Sequence, residues 1–417
     1  VARRAAFDTL QAVRAGVPFA AALDRAALGL SERDRRLAYE LSAGVLRARR
    51  ELDRELDLHR ADPRLRDILR LGAYQLRRLA RVPAHAAVST SVELAREAAG
   101  QRAARFVNQA LRRVAHRAAG AVASPPAAER THPAWVIERW RRHFGADAAA
   151  RLVAWNDTRP GLTLQPARWD QATLAARLTD AGIAIEEAPF GAGLRVRSHR
   201  VASLPGYDAG AFLVQDPAQA LVTQFAAIPA GARVYDACAA PGGKAVRLAS
   251  QGARVIAGEI RQDRLERLCD TLHRAGVAVP VVVADLLAAP FRPGTWDAVL
   301  VDAPCSATGT MSRHPDARWR LRPETIARLA RRQAALLEAA SVLVGPGGLL
   351  VYATCSLEPE ENEAQVNAFL QRHQDFQRRP GTCGLPPSLT TAVGDFQTLP
   401  QRDGIDGAYA ARLQRSA

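Results

Sequence analysis

Two cysteines carry the strongest chemical signal in this chain of 417 residues. Cys305 lies in Asp302-Ala-Pro-Cys-Ser306 and Cys355 in Tyr352-Ala-Thr-Cys-Ser356, each closing an aliphatic run, Ala298–Val301 and Leu349–Tyr352. Both sulfurs are expected at the carboxyl ends of strands over one ligand crevice, where two thiols point to covalent catalysis with divided roles. Cysteine is also a common small core residue, and Cys269 and Cys383 are read that way. The five cysteines are odd in number and contain no CxxC pair, which argues against a disulfide framework or a structural zinc site. No metal is expected, and a reducing compartment is.

Other strand ends carry groups suited to holding a ligand. Asp236-Ala-Cys-Ala-Ala-Pro-Gly-Gly-Lys244 runs from the strand Arg233–Tyr235 into a helix, and its paired glycines let backbone amides approach a ligand. It is neither GxGxxG nor GxxxxGK[ST], so dinucleotide and P-loop phosphate binding are not supported. Glu259 follows the run Arg254–Ala257, where an acid typically accepts from ribose hydroxyls. Asp285 follows Val281–Val283, and Asp302 precedes Cys305 by three residues. Lys244 is the sole lysine of the chain, and a cation there would lower the pKa of a neighbouring thiol.

The elements that must position these residues alternate β-branched runs with helical stretches, the rhythm of a parallel, doubly wound α/β sheet. Its longest helix is expected from Pro323, with Ile326, Leu329, Leu336, Leu337, Ala340 and Leu343 on the apolar stripe. Residues 1 to about 120 read as helical, with Leu37, Leu41, Val45 and Leu46 at helical spacing. Ser31 is expected as an N-cap with Asp34 in the capping-box position, and Ser89-Thr90-Ser91 as a second helix start. Gly120–Pro133, with Ser124-Pro125-Pro126, reads as a linker. A small mixed unit follows, with helices at Trp135–Phe144 and Ala148–Trp155 and strands at Leu162–Pro166 and Leu194–Arg197. Three domains are therefore expected: 1–125, 130–212 and 213–417. No apolar run approaches the ~20 residues of a membrane span, and Val1-Ala-Arg-Arg4 opens no signal-peptide core, so a cytoplasmic protein is expected.

Charge is unevenly spread. The net formal charge is +15, of which residues 1–150 hold +12 and residues 151–417 only +3. Between Arg64 and Arg117 twelve arginines face three acids, the electrostatic footprint of a nucleic-acid binder. Arg77, Arg78, Arg105, Arg112 and Arg113 are the candidate phosphate contacts in this stretch.

Four strings together, CAAPGGK (238–244), DAPCSATG (302–309), RHPD (313–316) and YATCSLEPEEN (352–362), resemble the RNA cytosine-5 methyltransferase superfamily. The chain is most similar to its bacterial 16S rRNA methyltransferase B branch, also called Sun or Fmu. Gly44-Val-Leu-Arg47, Leu71-Gly-Ala-Tyr-Gln-Leu76 and Val107-Asn108 before Leu111-Arg-Arg113 resemble the NusB-like RNA-binding domain fused to that branch. Val214-Gln-Asp216 and Asp406-Gly407 before Tyr409 also match, so the likeness spans nearly the whole chain. It implies a Rossmann-like class I methyltransferase domain, preceded by an all-α NusB-like domain and a small α+β linking domain.

The resemblance implies methyl transfer from S-adenosylmethionine to C5 of a cytosine in 16S rRNA. Cys355 would add to C6, and Cys305 would serve release of the enzyme. Cofactor contacts would fall to Cys238, Ala239, Ala240, Pro241, Gly242, Gly243, Lys244, Glu259, Asp285 and Asp302, and Arg313 would touch RNA. A monomer acting on naked or particle-bound rRNA is expected. Three positions depart from the pattern: Ala245 replaces a threonine, Glu259 an aspartate, and Ser312 a basic residue that would have touched RNA. Alternatives are a tRNA substrate and a non-catalytic assembly factor. A DNA cytosine-5 enzyme fits less well, since that chemistry uses one Pro-Cys nucleophile and this chain has a second thiol.

Overall fold

The computed structural model describes residues 1–56, 58, 61–118, 131–197, 201–380 and 384–417. Most of the expected linker and Cys383 lie outside them. The chain packs as two units, Val1–Arg159 with Met311–Arg320, and Pro160–Thr310 with Leu321–Ala417.

The first unit is helical, with its longest helices at Glu32–Leu56, Pro63–Arg78 and Ala84–Ala118. Leu41, Val45 and Leu52 recur on one helix face and share a core with Ile68, Leu71, Val107 and Leu111. Ser31 caps as expected: the Asp34 N–H donates to Ser31 Oγ (3.2 Å), and that hydroxyl donates to Asp34 Oδ2 (3.0 Å). Ser89-Thr90-Ser91 does not start a helix. The helix begins at Ala84, and the hydroxyls of Thr90 and Ser91 fold back onto the carbonyls of Ala86 (2.7 Å) and Ala87 (2.8 Å).

The segment Met311–Arg320, which contains the RHPD string, joins this unit from far along the chain. Arg47 Nη2 donates to Ser312 O (3.1 Å), and Trp319 Nε1 donates to Leu46 O (2.6 Å). The fully buried Arg318 pairs with Asp157 (2.8 Å). Ser312, which stands where the family pattern has a basic residue, is enclosed in the same packing.

The second unit holds two sheets. Strands β1 (Leu162–Pro166), β2 (Ile185–Glu187), β3 (Leu194–Val196) and β4 (Phe212–Val214) form an antiparallel sheet in the order β2-β3-β1-β4. The larger sheet contains β5 (Arg233–Asp236), β6 (Arg254–Glu259), β7 (Val281–Val283), β8 (Trp296–Asp302), β9 (Val344–Thr354), β10 (Phe376–Arg378), β11 (Phe396–Thr398) and β12 (Ala408–Arg415). Its order is β10-β12-β9-β8-β5-β6-β7, with β11 also on β12. Strands β5 to β9 pair in parallel, while β12 runs antiparallel to β9.

Alternate residues of the central strands face opposite sides. Val234, Ala298, Leu300 and Val351 pack with Val246, Leu248, Leu268 and Leu272 on one face. Tyr235, Val299, Val301 and Tyr352 pack with Leu336, Leu337, Val366 and Phe369 on the other. Strand order reverses at β5, with β6 on one side and β8 on the other, and such a switch point opens a crevice at the carboxyl ends. All the candidate catalytic and cofactor residues lie at those ends.

Candidate active site

The structure brings the two thiols together. Cys305, three residues past β8, and Cys355, one residue past β9, lie with their Sγ atoms 3.3 Å apart, both half-buried and free. The hydrogen bond with Cys355 is the largest cause holding the Cys305 pKa well above the usual thiol range, followed by burial. Cys305 is thereby kept as a thiol at neutral pH.

The loops bearing these thiols are tied by side chains from one buried cluster. Glu361 is fully buried and accepts from the Ser306 N–H (2.9 Å), the Ser306 and Ser356 hydroxyls, and Gln333 Nε2 (3.0 Å). Gln333 Nε2 also donates to Pro304 O (2.9 Å), and Tyr352 OH donates to Glu361 O (2.6 Å). The Gly309 N–H donates to Cys355 O (3.0 Å). A Cβ at Gly309 would stand 2.8 Å from that oxygen and 2.6 Å from Gly407 O, so no larger residue fits.

The 238–244 loop leaves β5 and enters the helix Gly243–Ser250 through Gly242, whose φ of +109° suits glycine. The Ala239 N–H donates to Gly258 O (2.9 Å), and Ala240 O accepts from Arg264 (2.6 Å), which fixes the loop against β6 and the following helix. Lys244 is buried, bonded to Gln219 Oε1 and paired with Asp302 (2.6 Å). The expectation that Lys244 activates a thiol is corrected: its charge is neutralised by Asp302. The thiol of its own loop, Cys238, is pushed up to about 12 by burial and by Asp236, Asp302 and Glu259.

Asp236 is fully buried, and neither carboxylate oxygen makes a hydrogen bond of normal geometry among the described residues. Burial, then the charge of Asp302, raises its pKa to about 7, with Lys244 opposing. Glu259 Oε1 accepts from the Arg261 N–H (2.9 Å), while Oε2 has no hydrogen-bond partner and lies 3.5 Å from Arg264. Asp285 Oδ1 accepts from the Leu287 N–H (3.1 Å). The apolar Ile260 and Leu287, beside Glu259 and Asp285, are 46% and 48% exposed.

Asp236, Gln219, Glu361 and Gln333 had no assigned role in the sequence reading. Gln333 carried a signal: it interrupts the apolar stripe between Ile326, Leu337 and Ala340. Asp216 and Asp406, matched as separate motifs, meet through the Asp406 N–H and Asp216 Oδ1 (3.2 Å). Cys269 is exposed, which corrects its reading as a core residue; it lies on the solvent side of the amphipathic helix Gln262–Ala275.

In the helical unit the candidate arginines divide. Arg77 and Arg78 pair with Glu55 and Glu51 and are half-buried. Arg105, Arg112 and Arg113 are exposed, with Arg112 bonded to Asn108 Oδ1 (3.3 Å). Arg313 is half-buried in the segment that packs within this unit.

Comparison with known proteins decides the family. The "Probable ribosomal RNA small subunit methyltransferase B" of Synechocystis sp. is 35% identical over 414 residues, covering 93% of this chain and 92% of the relative. The chain belongs to the ribosomal RNA small subunit methyltransferase B family. The Citrobacter koseri member is 33% identical, covering 92% of this chain and 91% of its own. Matches to the 16S rRNA methyltransferase RsmB/F family (226–414), the NusB family (1–116) and the RsmF/B-like ferredoxin-like domain (132–201) agree with it. The solved structure of PH0851 superposes with a TM-score of 0.85 at 23% identity, covering 99% of this chain and 98% of its own, and shows the same fold. As a family member this protein is an S-adenosylmethionine-dependent RNA methyltransferase. No helix among the described residues is long and apolar enough to cross a membrane.

The crevice fits that cationic cofactor. Carboxylate oxygens with no hydrogen-bond donor, both of Asp236 and Oε2 of Glu259, suit an ammonium and hydroxyls, and the excess of acids over Lys244 and Arg264 suits a sulfonium. Exposed Ile260 and Leu287 suit the faces of a purine.

Proposed function

We propose that this protein methylates C5 of a cytosine in 16S rRNA through a covalent cysteine–C6 adduct. The observation that carries the reading is the pair of thiols 3.3 Å apart at the switch-point edge of the sheet. Cytosine C5 is a weak nucleophile, so a thiolate must add at C6 and push electron density to C5. Cys355 takes that role. S-adenosylmethionine supplies the methyl group as an electrophile, held by the 238–244 loop, Glu259, Asp285 and Asp302. Loss of the C5 proton then returns its electron pair to the ring as the C6–sulfur bond breaks. The C5 proton passes to solvent, and Cys305, kept as a thiol 3.3 Å from Cys355, serves that release by donating its S–H to the departing Cys355 sulfur.

The division of labour we propose follows the expected boundaries: RNA affinity from residues 1–125, a link through 130–212, and chemistry in 213–417. Supporting it, a cleft of about 610 Å³ opens between the arms of the kinked Ala84–Ala118 helix, lined by Val88, Ser89, Arg96, Asn108 and Arg112 among others. A target base in structured RNA must leave its stack, at a cost of about a few kcal/mol, and phosphate contacts offset it. Small-subunit rRNA carrying 5-azacytosine, which cannot complete elimination, tests the chemistry. A covalent protein–RNA band in wild type and none in Cys355→Ala is expected. A band that survives Cys355→Ala overturns the assignment, and adduct with tRNA instead of rRNA would redirect the substrate.

A further inference from the structure

The cluster behind the two thiols has no part in the steps above, yet it touches both loops at once. Glu361 lies in the turn Pro359–Glu361, six residues beyond Cys355. One carboxylate oxygen accepts from the Ser306 backbone and from Gln333; the other accepts from the hydroxyls of Ser306 and Ser356. Ser306 follows Cys305, and Ser356 follows Cys355. Their hydroxyls also meet each other at 3.1 Å. The second loop is stiffened further, since Asn362 Nδ2 donates to Ser356 O (2.8 Å) and Thr308 Oγ1 accepts from the Leu357 N–H (2.8 Å).

A buried carboxylate is costly unless hydrogen bonds satisfy it. Here four donors do so, two from Ser306, one from Ser356 and one from Gln333 on the helix beneath them. Simple packing of two loops would not need a charge. We propose that Glu361 is a positioning residue for both thiols: its buried carboxylate clamps the residues following Cys305 and Cys355 and so sets the distance between the sulfurs. It also places a negative charge behind Cys305, among the causes that hold that side chain as a thiol. The inference rests on the two-thiol reading of the reaction, but the clamp can be measured without turnover.

The ruler is disulfide formation. The diazene oxidant diamide takes two electrons and two protons from the pair, leaving one S–S bond and a hydrazine, and its rate reports how closely the sulfurs approach. In the full-length protein, Glu361→Gln should slow closure of Cys305–Cys355 tenfold or more, read by peptide mass spectrometry. Its kcat should fall roughly 10²-fold, the scale for a displacement of about 1 Å, while KM for S-adenosylmethionine and RNA changes less than about threefold. In a Cys355→Ser background, Glu361→Gln should move Cys305 ionisation, followed by thiolate absorbance, to lower pH. If Glu361→Gln folds poorly, Ser306→Ala with Ser356→Ala removes the hydroxyl bonds and keeps the carboxylate, and should slow closure likewise. Unchanged closure rates in either variant overturn the clamp. Closure slowed as predicted while Cys355→Ala retains turnover would keep the clamp and overturn the two-thiol reaction.

Discussion

Asp236→Asn should make the cofactor-free protein more stable and a poorer cofactor binder. Its carboxyl is fully buried, lacks a hydrogen-bond partner of normal geometry, and faces Asp302 and Glu259, opposed by Lys244 and the Cys238 backbone N–H. The pKa is raised from 3.8 to about 7, so the folded state holds its proton more tightly than the unfolded chain does. Stability from this group is present below the unfolded value and is lost as pH rises from about 4 through about 7. At 1.36 kcal/mol per unit, the full loss above that window is about 4 kcal/mol, an upper figure because the site can relax. Asparagine is nearly isosteric and cannot ionise, so the variant should gain up to that amount at pH 8.5 and only about a quarter of it near pH 4.5. Calorimetric unfolding across that range measures the gap. The same substitution should weaken S-adenosylmethionine binding about tenfold or more, because a charged acceptor is lost. A gap independent of pH, or a variant less stable than wild type at pH 8.5, would refute this reasoning.

Three further outcomes follow from the site. Cys305→Ala should accumulate a covalent adduct with ordinary cytosine RNA, since attack survives while release stalls; free turnover on a denaturing gel assay would contradict that role. Glu259→Gln should weaken cofactor binding by about 1.5–3 kcal/mol, measured by titration calorimetry, and an unchanged Kd would place the ribose elsewhere. Replacing Arg105, Arg112 and Arg113 by alanine should leave cofactor binding intact but weaken RNA binding and reduce its salt slope by roughly 0.9 per lost phosphate contact. Point variants are preferable to removing residues 1–125, because Trp319 and Ser312 take partners from Leu46 and Arg47 within the helical unit.

The parts of this molecule governed by short-range patterns were readable in its sequence. Alternation of apolar runs placed β5 to β9 to within a few residues, and their ends named the crevice. Ser31 capped as its spacing demands, whereas Ser89-Thr90-Ser91 did not, because hydroxyls inside a helix can satisfy themselves on the preceding turn. What stayed hidden depends on long-range packing. Nothing local to residues 311–320 shows that they pack with helices near residues 19, 47 and 157. Lys244 looked like a thiol activator because Asp302, its partner, lies 58 residues away in sequence. Glu361 stood among other acids in LEPEEN, and only the meeting of two loops separates the clamp from its neighbours.

The central claim is that Cys355 drives methylation at C5 of a cytosine in small-subunit rRNA. The most direct measurement is to incubate the protein and S-adenosylmethionine with small-subunit rRNA from cells lacking the gene, then digest the RNA and identify nucleosides by mass spectrometry. Bisulfite sequencing of the same RNA locates the site. The account predicts new 5-methylcytidine at a single position, absent with Cys355→Ala. Methylation on another atom or base, or 5-methylcytidine formed undiminished by Cys355→Ala, would contradict it.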